Sequence, residues 1–349
     1  MKKSKKEKSI LLTGIPRCGS TWAGKVLSSS EDLNYVHEPD EEKKFLKAWI
    51  TKKKLHRYPY LASTDKQQLF FKLWEKAFYG KSEKRQIEKK SRILYRIKKK
   101  LFFPRKYFFE WEIGNKCGLI HKNYFRKTDY SKKDAVYIYN LKKNIAEIFA
   151  RFDLYRPLFL KRRNLVKSVH SIFALEWIKK KFDIDIVILI RHPANIISSY
   201  LEFKLGDSIR NIFFQKDLVS KYFLDYMDSV NKAEDKIEKM AVQIGAFYNF
   251  IDIFTKKYPD VILIKHEELL YKTEEKFKIL FKKLNINWSK KTETYIKNHN
   301  KKGAGMHLKR EKEKLKNKYK KLLSSKQIEK IKKFYNIFEN RYYNNFKGV

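Results

Sequence analysis

The chain has 349 residues, 43% of them hydrophobic, which is enough for a buried core in one large α/β domain or in two domains. It contains no run of eighteen or more apolar residues, which excludes a helical membrane span, and its two cysteines, Cys18 and Cys117, exclude a disulfide framework or a Cys-rich zinc site. The 81 Lys and Arg against 39 Asp and Glu give a formal net charge of +42, which favours polyanionic partners such as nucleic acid, anionic lipid, acidic glycan or a phosphorylated cofactor. The same excess is also what an AT-rich genome produces, since the chain is rich in Lys, Ile, Asn, Tyr and Phe and poor in Gly and Pro.

The basic tail, residues 1–8, lacks the apolar region and small-residue cleavage site of a signal peptide, so a cytoplasmic protein is expected. Ile10, Leu11 and Leu12 then read as a short buried strand, followed by a tight loop and a helix from Thr21 to Leu27. Strand, glycine-containing loop and helix N-terminus form a phosphate-binding geometry, because backbone N–H groups and the helix dipole converge there. Gly14 to Thr21 reads G-x-x-x-x-G-S-T, the spacing of a P-loop with Ser20 where the lysine belongs. That lysine reaches the β- and γ-phosphates of a nucleoside triphosphate, so its absence argues against ATP or GTP hydrolysis. Arg17 and Lys25 supply cations nearby. An ordinary tight strand-to-helix turn is the plainer alternative for this stretch taken alone.

Next, Tyr35 to Pro39 reads as a short strand with a polar tip. Helical spacing follows over 41–56, with Phe45, Leu46, Trp49 and Ile50 on one face, and over 66–79, ended by Gly80. Gln86 to Phe103 is a strongly basic helical pattern that could lie on an anionic membrane surface or be a solvated helix packed by one face. Residues 41–150 together read as a mostly helical insertion on the acceptor side. Regular alternation then returns: a strand at Val136–Tyr139, a helix at Leu141–Phe152, a strand at Pro157–Lys161, a helix at Leu165–Lys180, and the strand Ile184–Ile190, whose mostly β-branched run suits a parallel strand buried on both faces. A helix from Pro193 to Phe203, a long one over 235–258, a strand at Val261–Lys265 and a helix at Glu274–Leu284 follow. The basic C-terminal stretch, 301–349, holds the glycine loop Gly303-Ala304-Gly305, a Lys-rich helix and a last helix capped by Ser324 and Gln327. The alternation implies one domain over 1–349 with a central parallel sheet flanked by helices.

The strand Ile184–Ile190 runs into Arg191-His192-Pro193-Ala194-Asn195-Ile196-Ile197-Ser198-Ser199. Ligands of open parallel sheets bind at the carboxyl ends of strands, and an Arg there with a Ser two helical turns later could share one phosphate. An Arg capping a neighbouring helix and a Ser in the core would fit this motif alone equally well.

Taken together, the two motifs resemble those of the sulfotransferases that use 3′-phosphoadenosine 5′-phosphosulfate (PAPS). Their loop P-[KR]-x-G-[ST]-T-[WL], which grips the 5′-phosphosulfate, is matched by Pro16-Arg17-Cys18-Gly19-Ser20-Thr21-Trp22; their strand-end Arg and following Ser, which grip the 3′-phosphate, are matched by Arg191 and Ser199. The resemblance implies a P-loop-NTPase-like α/β fold without the P-loop lysine. His37-Glu38-Pro39 is similar to the [NH]-E-P step of bacterial, tyrosylprotein and glycan members, where the glutamate is the base. Leu160-Lys161 and Lys167-Ser168 resemble the K-D-P…S segment, whose lysine helps hold the transferring group, with Arg162-Arg163 standing in place of Asp-Pro. Ile264 to Leu269 resembles a late [RK]-[HY]-E-D-L strand end, taken as structural, and Lys301-Lys302-Gly303 faintly resembles a C-terminal R-K-G that touches the 3′-phosphate.

The implied reaction is in-line transfer of a sulfuryl group from PAPS to an acceptor hydroxyl or amine, with a glycan or glycolipid as the expected acceptor and no metal required. The residues expected to act are Arg17 at the bridging oxygen, Lys161 at the transferring group and Glu38 as base, with His37 as the rival base. Extended backbone would send the His37 and Glu38 side chains opposite ways, leaving one to face the cleft. Two other functions compete: a nucleotide-binding, kinase-like protein, disfavoured by the missing lysine, and a non-catalytic protein that binds nucleic acid or anionic membrane through its charge. No specific nucleic-acid partner is expected, and peripheral contact with anionic membrane stands as an alternative to a solvated basic helix.

Overall fold

The computed structural model describes residues 7–42, 45–52, 55–80, 162–299 and 318–343. Five parallel strands form one sheet: β1 (Ser9–Thr13), β2 (Leu33–His37), β3 (Arg163–Ser168), β4 (Ile184–Ile190) and β5 (Ile262–Lys265), in the spatial order β2-β3-β1-β4-β5. Leu11 of the central strand pairs with Val166 on one side and Ile186 on the other. Helices flank the sheet, as the alternation of elements requires: α1 (Ser20–Leu27), α2 (Leu46–Lys52), α3 (Gln68–Tyr79), α4 (Leu175–Lys181), α5 (Pro193–Glu202), α6 (Lys236–Lys257), α7 (His266–Tyr271), α8 (Thr273–Lys283), α9 (Lys290–His299), α10 (Lys318–Leu322) and α11 (Ser325–Tyr335). The α/β class expected from the sequence is the observed one.

The order of strands fixes where ligands can enter. From β1 the chain crosses to the β2 edge, returns to fill the gap with β3, and then passes to the other side of β1 for β4. The connections leaving β1 and β4 therefore diverge, and a crevice opens at their carboxyl ends. The loop after β1 and Arg191 after β4 both lie at that edge.

Local sequence sets the boundaries. Pro193 occupies the first turn of α5, where its missing N–H costs nothing. Capping boxes open α6 (Asp235 with Glu238) and α11 (Ser324 with Gln327), satisfying helix-end donors reciprocally. Between α5 and α6, short helical turns over 209–230 pack Ile212, Leu218 and Phe223 into the core.

One expectation is overturned. The segment expected to be a helix from Leu165 to Lys180 is instead strand β3, then a 3-10 turn at Ile172–Ala174 and the short α4. All six β3 residues are buried although four are polar, so neither alternation nor an apolar run marks the strand. Arg163 donates to the Leu284 and Asn285 carbonyls at 2.6 and 3.3 Å. Asn164 donates to those of Ala77, Phe78 and Gly80 at 3.1, 3.1 and 2.7 Å. These partners are distant in sequence and satisfy the buried polar groups. The elements expected at Val136–Tyr139, Leu141–Phe152 and Pro157–Lys161, the basic helical pattern from Gln86 and the glycine loop at Gly303 lie outside the described residues. No described helix is long and apolar enough to cross a membrane.

Candidate active site

The loop after β1 is shaped by left-handed backbone. Arg17 has φ 70° and Gly19, the residue before α1, has φ 98°. A Cβ at Gly19 would lie 2.3 Å from His266 Cδ2, so only glycine lets the loop close over the imidazole at the start of α7. The first N–H groups of α1, from Ser20 through Trp22, have no intrahelical acceptor and point out of the helix N-terminus, an anion-binding arrangement. Cys18 supports the loop from inside: its thiol is fully buried, and burial pushes its pKa up against hydrogen bonds from Ser20. Its side chain therefore packs beneath the loop. Trp22 stacks edge-on against His266 and Phe277, with ring centroids 6.0 and 5.4 Å apart.

Arg17, Arg191 and Ser199 come together across the crevice. Arg17 Nε donates to Ser199 Oγ at 2.9 Å, and its guanidinium lies 4.1 Å above the Phe203 ring. Arg191 Nη1 donates to the Arg17 carbonyl at 3.1 Å. The backbone of Arg191 is locked by one side chain: the Tyr248 hydroxyl accepts its N–H at 2.8 Å and donates to its carbonyl at 2.6 Å. Beside it, Glu267 accepts the His192 N–H at 2.9 Å and the Tyr343 hydroxyl at 2.7 Å.

The Arg191 guanidinium is buried, and burial pulls its pKa down, with Glu267 the leading opposing charge. Its Nε has no hydrogen-bond partner, and among the described residues Arg191 makes no ion pair. A buried cation with an unfilled donor is a costly arrangement that a phosphate would relieve.

The second half of the site lies at the ends of β2 and β3. Glu38 is buried, and its carboxylate pairs with the Lys167 ammonium at the end of β3. Its backbone N–H donates to the Lys167 carbonyl. Glu38 has φ 44°, so it leaves the extended conformation of β2. This corrects the expectation that His37 and Glu38 diverge: the turn brings the Glu38 carboxylate to 3.7 Å from His37 Nε2. His37 is 38% exposed at its side chain, and its Nδ1 lies 2.9 Å from the Tyr35 hydroxyl. The lysine against Glu38 is thus Lys167. Lys161, Lys302 and Gly303 lie outside the described residues.

Beyond Glu38 the chain buries Asp40, Glu41 and Glu42. Although no ligand spacing is visible in the sequence, the fold brings ligand atoms of Glu41, Glu42 and His170 within 4.8 Å of one another. The Arg57 guanidinium sits among them, 3.3 Å from His170 Nε2 and 3.9 Å from both carboxylates, so the cluster carries its own cation. Gln215 fixes the loop bearing Arg57, accepting the Tyr60 N–H at 2.7 Å and donating to the Tyr58 carbonyl at 2.9 Å.

The family model described as "Sulfotransferase family" matches residues 9–290, which include both phosphate motifs and Glu38. The chain belongs to the sulfotransferase family. No curated protein matches the chain. Among solved structures, the sulfotransferase domain from the curacin biosynthetic pathway is similar at 13% identity and a TM-score of 0.43, over 97% of this chain and 100% of that one. Sulfotransferase STF9 from Mycobacterium avium is similar at 11% identity and a TM-score of 0.39, over 97% of this chain and 78% of that one. Within this sulfotransferase-family chain, Lys302 and Gly303 fall beyond the residues matched by the family model.

Several groups that shape the site carry little signal in the sequence. The polar residues of β3 hide the strand, and with it the position of Lys167 at a carboxyl edge. Tyr248 carries no sequence signal, since it acts from the middle of α6, and His266 lies in the strand-end motif taken as structural, where nothing in the sequence points to its contact with Gly19.

Proposed function

We propose that this protein transfers a sulfuryl group from PAPS to a hydroxyl or amine of an acceptor, with a glycan or glycolipid as the acceptor class, and that the whole chain is one cytoplasmic sulfotransferase domain. The observation that carries the reading is the buried Arg191 guanidinium, whose Nε has no hydrogen-bond partner among the described residues, beside a glycine-bearing helix N-terminus and the Ser199 hydroxyl. That set fits a ligand with two separate phosphate groups better than a triphosphate with its metal. The P-loop lysine is absent, and the strand β4 ends in Arg rather than in a metal-binding acid.

In this reading Arg191 and Ser199 hold the 3′-phosphate, and the N–H groups of Gly19, Ser20, Thr21 and Trp22 hold the 5′ end. Arg17 stabilises charge on the leaving phosphate oxygen, and Lys167 faces the sulfuryl oxygens, a role the resemblance also gives to Lys161. Glu38 takes the acceptor's proton as the bond from sulfur to the acceptor oxygen or nitrogen forms and the bond to the 5′-phosphate oxygen breaks, leaving 3′,5′-bisphosphoadenosine (PAP). Burial beside Lys167 favours Glu38 over the half-exposed His37, which Tyr35 engages. The protein's contribution is then positioning and electrostatics, as in phosphoryl transfer. The basic stretch from Gln86 to Phe109 is the proposed contact for an anionic glycan or membrane surface.

The test is release and transfer of label from [35S]PAPS, with water, glycan and glycolipid fractions as acceptors. Arg17→Ala and Glu38→Gln should each lower turnover by a factor of roughly 100 or more. Turnover unchanged in both variants would refute the assignment.

A further inference from the structure

Strand β2 lies at the edge of the sheet, so within the sheet it pairs with β3 alone. There Glu38 adopts φ 44°, a conformation that costs a non-glycine residue about 1–2 kcal/mol and persists only when neighbours over-determine it. Pro39 fixes the next φ but supplies no donor. Two residues on, Asp40 is wholly buried. Its Oδ1 accepts the Ser168 hydroxyl at 2.8 Å, and that same Ser168 oxygen accepts the His170 N–H at 3.1 Å. Its Oδ2 has no hydrogen bond and lies 3.6 Å from the Lys52 ammonium of α2. Lys52 in turn donates to the Arg57 carbonyl at 3.0 Å and lies 3.5 Å from Glu42.

Two ladders therefore run side by side. The Glu38 carboxylate meets the Lys167 ammonium, and the Asp40 carboxylate meets the hydroxyl of the very next residue, Ser168. A buried carboxylate is an expensive way to hold a chain together, and a hydrophobic side chain would stabilise the fold as well or better. What the hydrogen bond to Ser168 adds is register: it fixes the residue after Lys167 to the residue two past Glu38.

We propose that Asp40 is a positioning residue, which acts through Ser168, with Lys52 behind it, to hold Glu38 and Lys167 opposed in reacting geometry. This rests on the reading of Glu38 and Lys167 as the reacting pair. Asp40 itself touches no transferring group, so its loss should change turnover and leave the donor-binding half of the site intact.

The experiment combines Asp40→Ala, Asp40→Asn, Ser168→Ala and the Asp40→Ala/Ser168→Ala pair. Each is measured for [35S]PAPS turnover to water, PAP affinity by calorimetry, and the 15N signal of the Lys167 ammonium, assigned by its loss in Lys167→Met. Asp40→Ala and Ser168→Ala should each slow turnover about tenfold, and the pair should be no slower than either, because they remove one interaction. Asp40→Asn keeps an acceptor for Ser168 and should retain turnover within about threefold of wild type. PAP affinity should stay within about twofold throughout. The Lys167 signal, slow to exchange with water in wild type and Asp40→Asn, should exchange fast in both alanine variants. Multiplying losses in the pair, or an unchanged Lys167 signal in both alanine variants, would overturn the proposal. A wild type that neither binds PAP nor consumes PAPS would overturn the donor reading instead, and the Lys167 signal would still decide the role of Asp40.

Discussion

Arg17 Nε donates to Ser199 Oγ at 2.9 Å, tying the loop after β1 to the second turn of the helix after β4. The two motifs read as phosphate-binding, whose Arg17 and Ser199 are 182 residues apart in the chain, thus meet in the fold. Ser199→Ala should weaken PAP binding roughly tenfold, the worth of one charge-assisted hydrogen bond. Calorimetry on the two proteins measures it directly.

The Tyr248 hydroxyl holds both the N–H and the carbonyl of Arg191. Tyr248→Phe leaves both groups without that partner in a buried place, so the end of β4 should loosen. We expect the KM for PAPS to rise about tenfold with kcat within about threefold of wild type, and unfolding free energy to fall by about 2 kcal/mol. A fall in kcat without a change in KM would contradict the assignment of Tyr248 to donor binding.

At Gly19, a methyl group would meet the His266 ring at 2.3 Å and would also sit on left-handed backbone at φ 98°. Gly19→Ala should destabilise by roughly 1–3 kcal/mol and abolish PAP binding. Adding His266→Ala removes the clash but not the backbone strain, so the double variant should recover part of the stability. Thermal melts of the three proteins test this.

Glu38 and Lys167 form a buried pair at the ends of adjacent strands. Removing one partner strands the other charge, and Glu38→Ala should cost roughly 3–5 kcal/mol of stability. Glu38→Gln with Lys167→Met should recover most of that loss while remaining inactive. Denaturant titration separates the stability effect from the loss of turnover.

His192 lies flat against Tyr319, with ring centroids 5.0 Å apart, and its pKa is pushed down to about 4, by burial first and by Arg191 and Lys320 next. His266 is also held well below its ordinary value, by burial and by Arg191. For such a base the unfolded chain binds the extra proton first. Stability is therefore full above about pH 6.5 and is lost as the pH falls toward about 4. His192→Phe keeps the stacked ring without the titrating group, so its unfolding midpoint should fall less steeply between those limits than that of wild type. Equal slopes would remove His192 as a source of acid sensitivity.

Much of this architecture is written in local sequence. Strand β4 is legible because both its faces are buried and all its side chains but Asp185 are apolar, and Arg191 becomes a candidate site residue simply by following it. Helix α6 announces itself through its apolar stripe and the capping residue Asp235. Strand β3 is illegible for the opposite reason: Arg163, Asn164, Lys167 and Ser168 are polar, and what buries them is carbonyls and carboxylates brought from elsewhere by the fold. The pairing of His37 with Glu38 is hidden too, because one positive φ reverses the alternation that an extended strand would impose.

Arg191 is the centre of the proposed donor site for a 3′,5′-bisphosphorylated nucleoside. Calorimetric titration of PAP, beside ATP with magnesium, into wild type and Arg191→Ala tests it most directly. Wild type should bind PAP in preference to ATP with magnesium, and Arg191→Ala should lose about 100-fold in PAP affinity. Preference for ATP with magnesium, or equal PAP binding by the two proteins, would contradict it.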